Sequence, residues 1–300
     1  MVEYLGNISK YLGLPINASS HGHMIDNMIG WVHWLMILLF VGWGVYLIIA
    51  VIKFSSKSNP KADYHGVKSH FSQYIEYGVI IFEAFLLIGL SIPLYSQIKT
   101  KLPSANEVHN IRVVAQQFNW NIHYPGADGK FGITDITLLD EETNPIGLDR
   151  SSTHGADDIV TINQMHLPVN KQVMIHLSSM DVIHSFGIPE MRIKQDAIPG
   201  MTIPFFFTPT MTSSEYLKKI KTTERYNPKG NYSFEKEIWA NMNEKNKNEY
   251  RGYQIACAQL CGNSHYKMRG FVTIDTEAEY DAWLSEQAEY LDEEGDDDDW

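Results

Sequence analysis

The stretch CAQLCGNSHYKM, residues 257–268, contains both cysteines of the 300-residue chain, followed by a histidine and a methionine. Cys257 and Cys261 are four positions apart, His265 follows four positions later, and Met268 ends the stretch. Thiolate, imidazole and thioether groups are soft ligands for transition metals. The spacing therefore predicts a metal site if a tight turn brings these side chains together.

Three kinds of site compete for these residues. Two cysteines in an oxidising compartment usually form a disulfide, but cysteines this close would close almost no loop and gain little stability. Zinc bound by two cysteines and two histidines would leave Met268 without a role, because a thioether is a poor zinc ligand. Two thiolates, two histidines and a methionine suit two copper ions bridged by both sulfurs. The candidate second histidine is His184, in the stretch DVIHSFGIPEMRIKQDAIPG.

The elements that must position this site begin with a membrane anchor. Residues 28–52 form an uncharged apolar run that gives about 37 Å of helix, enough to cross a hydrocarbon core of about 30 Å. A second apolar run, residues 77–95, contains one acid, Glu83, and we expect it to cross the membrane over about residues 76–97. The two runs predict a helical hairpin.

The charges around the hairpin predict its orientation. The loop between the runs carries several lysines against one acid, which places it in the cytoplasm and both termini outside. Beyond residue 101, β-forming stretches alternate with turn residues in the manner of a β-sandwich or barrel. They are residues 110–124, 158–169, 171–179, 201–209 and 270–276. Residues 277–291 predict a terminal helix.

The chain resembles subunit II of the haem–copper cytochrome c oxidases. The resemblance rests on DVIHSFGIP and KQDAIPG, on the C-x₃-C-x₃-H-x₂-M loop, on the N-terminal hairpin and on the aromatic stretch QFNWNIHYP. It implies a membrane-anchored all-β protein, with a two-helix transmembrane hairpin followed by a cupredoxin-like Greek-key β-barrel. It also implies a dinuclear copper centre, CuA, on that barrel.

The resemblance assigns the ligands one by one. Cys257 and Cys261 would bridge both copper ions, and His184 and His265 would each bind one of them. Met268 and the backbone carbonyl of Gln259 would be weak ligands. The chain would then receive electrons from a c-type cytochrome and pass them to haem in a partner catalytic subunit, subunit I. That partner would reduce dioxygen and translocate protons.

The chain departs from the family pattern at several positions. Gln259 replaces a glutamate that helps to bind magnesium, and an amide is a weaker magnesium ligand, so magnesium is doubtful here. Phe118 replaces the tryptophan that accepts electrons, so Phe118 or Trp120 would supply the route. Glu76 corresponds to a residue linked to proton uptake, although the tryptophan that usually follows it is missing. Because the chain has no C-x-x-C-H motif, the electron donor should be a separate protein.

The expected organisation has four parts: an external segment, residues 1–23; the hairpin, residues 24–101; the copper domain, residues 102–285; and an acidic tail, residues 286–300. The domain would contain an insertion at about 210–251, either a solvated loop or a docking surface for a donor complex. We expect the inner membrane of a bacterial-type cell, with both termini and the copper domain on the periplasmic side. Membrane lipid and other oxidase subunits would be partners.

Other functions remain open from the sequence alone. The principal alternative is a membrane-tethered copper-binding or copper-delivery protein that is not part of an oxidase. A quinol-oxidase-type subunit without copper is less consistent with the complete ligand set. The net charge of −12 argues against nucleic acid as a partner, because phosphates require a basic surface. The acidic groups, including Asp181, would instead attract a basic protein.

Overall fold

The computed structural model describes residues 12–61, 65, 69–100, 102–104, 108–141, 143–222 and 252–296. These residues form two compact units. One unit contains two long apolar helices. The other contains the β-strands together with residues 15–22, which precede the first helix.

The helical unit contains both predicted membrane spans. Helix α1 is Gly22–Lys53, and helix α2 is Phe71–Thr100, in which two π-helical segments, Phe85–Ser91 and Ser96–Thr100, interrupt the α-helix. Both helices are long and apolar enough to cross a membrane, and each extends beyond the span predicted for it. Most of their large apolar side chains are exposed in the isolated chain, as expected of surfaces that face lipid or protein partners.

The β unit is built from ten strands in the described part of the chain. They are β1 (His109–Gln116), β2 (Asn119–Tyr124), β3 (Ile159–Ile162), β4 (Gln164–Pro168), β5 (Val173–Ser179), β6 (His184–Ile188), β7 (Ile193–Ala197), β8 (Ile203–Phe207), β9 (Tyr253–Cys257) and β10 (Arg269–Asp275). One sheet has the order β3-β2-β1-β5-β8 and the other has the order β4-β10-β9-β6-β7. Each sheet contains one parallel pair, β1 with β5 and β4 with β10.

The core lies between the two sheets. On β1, Ile111, Val113 and Ala115 are fully buried, whereas Arg112 and Val114 on the opposite face are partly exposed. This alternation is the period-2 pattern of a strand with one buried face. Trp120 from β2 and Phe186 from β6 are among the largest buried side chains, and their rings meet edge to face at 5.5 Å. Residues from both sheets thus form one continuous apolar cluster.

The strand predictions were correct in location but incomplete. Each predicted stretch contains at least one strand, and residues 110–124 and 158–169 each form two strands joined by a turn. Strands β6, β7 and β9 were not predicted. All five residues of β6 are buried, so this strand lacks the polar–apolar alternation by which a half-buried strand is recognised.

Two helices belong to the β unit, α3 (Ser213–Thr222) and α4 (Glu277–Asp296). Helix α4 continues past residue 291, where the predicted helix ends, into the expected acidic tail. Helix α3 lies at the start of the expected insertion, where Tyr216 stacks on Tyr253 at 4.4 Å and both rings are buried. This part of the chain therefore belongs to the core rather than to a solvated loop. Residues 223–251 of the insertion and 297–300 of the tail lie outside the described residues.

The segment before α1 is held by the β unit through backbone hydrogen bonds. The amide of Ala18 donates to the carbonyl of Glu190 at 2.8 Å, and the amide of Ser20 donates to the carbonyl of Thr208 at 3.1 Å. The Ser19 hydroxyl donates to the carbonyl of Met191 at 2.8 Å. Residues 1–11 of the expected external segment lie outside the described residues.

Candidate metal centre

The loop that carries both cysteines joins two antiparallel neighbours in the sheet. Cys257 is the last residue of β9, and β10 begins directly after Met268. The amide of Cys257 donates to the carbonyl of Met268 at 3.3 Å, which closes the loop at its base. Inside the loop, the amide of His265 donates to the carbonyl of Gly262 at 3.1 Å and begins a short 3₁₀ turn. The tight turn required by the spacing of the ligands is therefore present.

Strand pairing brings the distant histidine to this loop. His184 begins β6, which runs antiparallel to β9 with Phe186 opposite Cys257. The separation of 73 positions between His184 and Cys257 is thereby reduced to a contact of 3.9 Å between Nδ1 and Sγ. His184 is the first residue of its strand and is fully buried.

All six predicted ligands lie in one cluster. The Cys257 and Cys261 sulfurs are 3.8 Å apart, and with a nitrogen of His184 they lie within 4.8 Å of one another. Further donor atoms lie close to these sulfurs. They are Nδ1 of His265 at 3.4 Å from Cys261 Sγ, Sδ of Met268 at 3.7 Å from the same sulfur, and the carbonyl oxygen of Gln259 at 3.2 Å from Cys257 Sγ.

The donor set distinguishes between the kinds of site that the sequence left open. The two sulfurs are not bonded, since a disulfide requires about 2.05 Å and the thiols are free. A structural zinc ion uses four ligands, so a zinc ion would leave the Met268 thioether and the Gln259 carbonyl without a role. Two adjacent sulfurs with four further, mostly soft donors around them match the requirements of a copper pair. The residues present therefore fit the dinuclear group.

The two thiols differ in acidity because their surroundings differ. Burial raises the pKa of Cys257, but hydrogen bonds with His184 and with the backbone at Gln259 and Ser185 outweigh burial and lower the pKa to about 6. Burial and the neighbouring Cys257 sulfur raise the pKa of Cys261 to about 11. At neutral pH the cluster thus holds one thiolate, the form in which cysteine binds metals.

Asp181 orients the histidine and links it to the first sheet. Its carboxylate accepts a hydrogen bond from Nε2 of His184 at 2.8 Å and another from the backbone amide of Gln117 at 2.7 Å. Gln117 lies in the β1–β2 turn, and its side-chain amide donates to the carbonyl of Cys261 at 2.5 Å. The turn, the carboxylate and the loop of residues 257–268, called the metal loop below, therefore support one another. The sequence alone indicated no role for Gln117; its position next to Phe118 was the only signal.

The two candidate aromatic residues differ in exposure. Trp120 is fully buried, and its ring lies 6.3 Å from the His184 ring. Phe118 is partly exposed and packs on the metal loop, since a Cβ atom at Gly262 would lie 3.1 Å from the Phe118 ring. Of these two residues, Phe118 is thus the one that reaches both the surface and the loop.

Glu76, the candidate for proton uptake, and Glu83 both lie on helix α2. Glu76 is near the start of the helix, and Glu83 lies further along it, just before the first π-helical segment. Both side chains are exposed in the isolated chain. They do not belong to the metal cluster.

Fold and site together define a membrane-anchored protein with a cupredoxin-like β domain. Residues 109–214 match the family model described as cytochrome C oxidase subunit II, periplasmic domain. A relative from Bradyrhizobium diazoefficiens, alternative cytochrome c oxidase subunit 2, is 30% identical over 281 residues, covering 93% of this chain and 85% of its own length. The chain therefore belongs to the cytochrome c oxidase subunit II family, and its β unit corresponds to the periplasmic domain of that family.

Two further similarities cover a smaller share of this chain. Cytochrome c oxidase subunit 2 from Thermostichus vulcanus is 30% identical over 127 residues, which is 42% of this chain and 27% of that protein. A crystal structure of the periplasmic domain of subunit II of cytochrome oxidase from Bradyrhizobium japonicum is similar with a TM-score of 0.36 and 22% identity. This similarity covers 63% of this chain and 98% of that one.

Proposed function

We propose that this chain is the electron-accepting subunit of a haem–copper terminal oxidase and holds a dinuclear CuA centre. The chain would receive electrons from a c-type cytochrome and deliver them to haem in a catalytic subunit I. That partner would reduce dioxygen and couple the reaction to proton translocation. The observation that carries the proposal is the convergence of two thiols, two imidazoles, a thioether and a carbonyl in one cluster.

Each ligand takes a role that its position supports. Cys257 and Cys261 would both hold the copper pair, because their sulfurs are adjacent. His184 approaches Cys257, and His265 approaches Cys261, so each histidine would bind one ion. Met268 and the Gln259 carbonyl would complete the set. A copper pair held in this way supplies one-electron redox chemistry.

The fold itself positions these side chains. Two paired strands fix His184 and Cys257, and the hydrogen bond from Cys257 to Met268 closes the loop. Met268 and Cys261 are buried, which limits the access of water. Ligands that are fixed and desolvated change little in position when their charge changes, and this is what fast electron transfer requires.

Electrons would enter through the β1–β2 turn. We assign this role to Phe118 because its ring is partly exposed and contacts the metal loop, whereas Trp120 is enclosed in the core. Exposed apolar side chains on the loop, Leu260 and Tyr266, offer a surface on which a donor could dock.

The chain segments on either side of the hairpin predict the orientation of the anchor in the membrane. The β unit contains the chain both before α1 and after α2. Two crossings must therefore begin and end on the same side, which agrees with both termini being periplasmic. We propose that the hairpin contacts lipid and the catalytic subunit in a bacterial-type inner membrane. The domain boundaries at residues 24, 102 and 286 are part of this proposal.

The proposal includes a role for Glu76 and does not include a magnesium site. Glu76, near the start of α2, is assigned to proton uptake at the contact with the catalytic subunit, because a carboxylate at a membrane edge is a functional candidate. Magnesium is not assigned to this chain, since Gln259 offers an amide where a carboxylate would be the stronger ligand.

The test is a copper titration of the full chain in detergent, with electron paramagnetic resonance of the oxidised sample. We expect two ions per chain and a spectrum in which one unpaired electron is shared by two copper nuclei. Cys257→Ser and Cys261→Ser should each abolish that spectrum. His154→Gln, which removes a histidine from an exposed position outside the cluster, should leave it unchanged.

Other results would overturn the proposal. A single labile copper ion per chain would identify a copper-delivery protein. Zinc in the protein as isolated, or a native disulfide between Cys257 and Cys261, would exclude the copper centre.

A further inference from the structure

A second site lies on the outer face of the first sheet. There, β1 and β5 run side by side, with Arg112 opposite His176 and Val114 opposite Ser178. These four side chains form the floor of a cavity of about 440 Å³. Phe131, from the connection between β2 and β3, forms part of the wall. The volume lies in the range of small-molecule sites.

The wall of this cavity is fixed by buried hydrogen bonds. The carboxylate of Asp158 accepts from the amides of Gly126 at 2.9 Å and Gly132 at 2.7 Å, and it lies 2.5 Å from Nε2 of His123. Asp158 and His123 are fully buried. The connection is therefore tied to the sheet on both sides of Phe131. The cavity is preformed rather than a gap beneath a loose loop.

Arg112 brings a positive charge to the cavity without a direct ion pair. Its guanidinium is half-buried, lies 4.6 Å from the Phe131 ring centroid, and is 3.5 Å from Nδ1 of His123. No described carboxylate lies within ion-pair distance of it. Asp158 acts on Arg112 only through its charge. Its oxygens accept hydrogen bonds from His123 and from backbone amides and do not contact the guanidinium. Arginine stays protonated even where burial lowers its pKa.

The other side chains that line the cavity are uncharged, and they supply both polar and apolar groups. Burial lowers the pKa of His176, so its imidazole is uncharged at neutral pH. Hydroxyls of Ser178 and Thr202 supply hydrogen-bonding groups, while Val114 and Ile146 supply apolar surface. A guanidinium presents a fork of donors that matches a carboxylate or phosphate. The apolar surface favours a ligand with a hydrocarbon part over inorganic phosphate.

We propose that this cavity binds a small organic anion, whose carboxylate or phosphate group pairs with Arg112 and whose apolar part contacts Val114 and Phe131. None of the six candidate metal ligands lines this cavity. It requires neither a metal nor an oxidase partner, so its test stands apart from the test of the proposed function.

The experiment is isothermal titration of the full chain in phosphatidylcholine nanodiscs, with three probes. Phenyl phosphate and benzoate carry the two anionic groups, and benzyl alcohol is the uncharged control. We expect both anions to bind at one saturable site and benzyl alcohol to bind at least about tenfold more weakly. Inorganic phosphate, as a fourth titrant, should bind more weakly than phenyl phosphate.

Variants identify the site. Arg112→Gln should weaken the binding of both anions by at least about tenfold. Lys130→Gln, which removes a positive charge from the connection without touching the cavity lining, should bind as the wild type does. Val114→Phe fills the floor and should also abolish binding, and it tests the site if Arg112→Gln fails to fold. Circular dichroism establishes folding for each variant.

Two outcomes would overturn the inference. One is the absence of saturable binding of both anions up to about 10 mM, a limit corresponding to a very weak complex. The other is binding that is unchanged in both Arg112→Gln and Val114→Phe, which would place the anions elsewhere on the protein.

Discussion

The imidazole of His184 donates a hydrogen bond from Nε2 to the carboxylate of Asp181 at 2.8 Å. This bond fixes the orientation of the imidazole ring, and Nδ1 is the atom that approaches Cys257. The hydrogen bonds from His184, the Gln117 amide and the Val182 amide outweigh burial and lower the pKa of Asp181, so the carboxylate is charged at neutral pH. The folded chain thus holds a candidate histidine ligand in a fixed orientation.

Replacing this carboxylate should weaken metal binding. Asp181→Asn keeps the shape of the side chain but loses the charge that strengthens the bond to His184. We expect copper affinity to fall by about 10- to 100-fold, as for other residues that orient a ligand. Competition with a copper chelator measures the change.

Asp196→Asn is the matched control. Asp196 lies on the neighbouring strand β7 and accepts from the hydroxyl of Ser185, the residue after His184, at 2.6 Å. It does not contact the imidazole. Equal losses of affinity in the two variants would show that Asp181 acts only through general stability or charge.

Gly262 should tolerate no side chain, for two separate reasons. Its φ of +138° is rare for residues with a Cβ, and a Cβ there would lie 2.7 Å from the Gln117 side-chain nitrogen and 3.1 Å from the Phe118 ring. Gly262→Ala should therefore displace the β1–β2 turn from the metal loop. We expect a loss of about 1–3 kcal/mol in stability together with weaker copper binding.

Gly129→Ala separates backbone strain from steric contact. Gly129 also has a positive φ, +68°, but the space beside it is open, since a Cβ there would have nothing within 4 Å. This variant should lose stability while copper binding remains unchanged. If Gly262→Ala behaved in the same way, the turn would not support the loop.

The sequence predicted both the candidate ligands and the anchor. The spacing of the loop residues and the two apolar runs are local patterns, and the structure places all six candidate ligands in one cluster. The contacts that support the candidate ligands could not be predicted from local sequence patterns. The bond between Gln117 and Cys261 joins residues 144 positions apart and exists only because the two sheets pack together.

The difference between local patterns and distant contacts also explains why parts of the fold were not predicted. Strand β6 is buried on every side and gives no period-2 signal, whereas β9 alternates in burial but over only five residues. The pairing of these two strands is what brings His184 to Cys257. The core role of Tyr216 was also hidden, because its segment has a mixed-charge composition that suggests a solvated region.

Met268 is expected to act as a ligand and not only as a core residue. Its sulfur lies 3.7 Å from Cys261 Sγ, and the side chain is buried. Met268→Leu conserves volume and should cost less than about 1.5 kcal/mol in stability. It should nevertheless shift the visible absorption and the reduction potential of the copper-loaded protein.

Met191→Leu provides the comparison. Met191 is fully buried in the same apolar cluster but lies outside the metal site. It should lose a similar amount of stability with no spectral change. Identical spectra for wild type and Met268→Leu would reduce Met268 to a packing residue.

Phe118 should control the rate at which electrons reach the site. Phe118→Leu retains an apolar side chain but removes the aromatic ring that contacts the metal loop. In the assembled oxidase we expect electron transfer from a reduced c-type cytochrome to slow by at least about tenfold, or about 1.4 kcal/mol in barrier. Stopped-flow absorption measures this rate, and the copper spectrum should not change.

Phe118→Tyr keeps the ring and should transfer electrons at a rate close to that of the wild type. A rate that is unaffected in Phe118→Leu would mean that electrons arrive by another part of the surface, and the assignment of Phe118 would be wrong.

The stability of the β unit should decrease as the pH falls below about 6.5, the pKa of an unperturbed histidine. His123 is fully buried, and burial lowers its pKa despite the bond to Asp158. The unfolded chain therefore binds a proton at a higher pH than the folded chain does, and protonation favours unfolding. Hydrogen bonds outweigh burial and lower the pKa of Asp158, which adds a further loss below about pH 4.

His123→Gln tests this origin of the pH dependence. A glutamine can still donate to Asp158 but does not titrate, so the midpoint of urea unfolding should change less between about pH 7.5 and pH 5.5 than in the wild type. His154→Gln is the control, because that side chain is 38% exposed. It should retain the dependence of the wild type. If His123→Gln retained it as well, the buried pair would not be the group that senses pH.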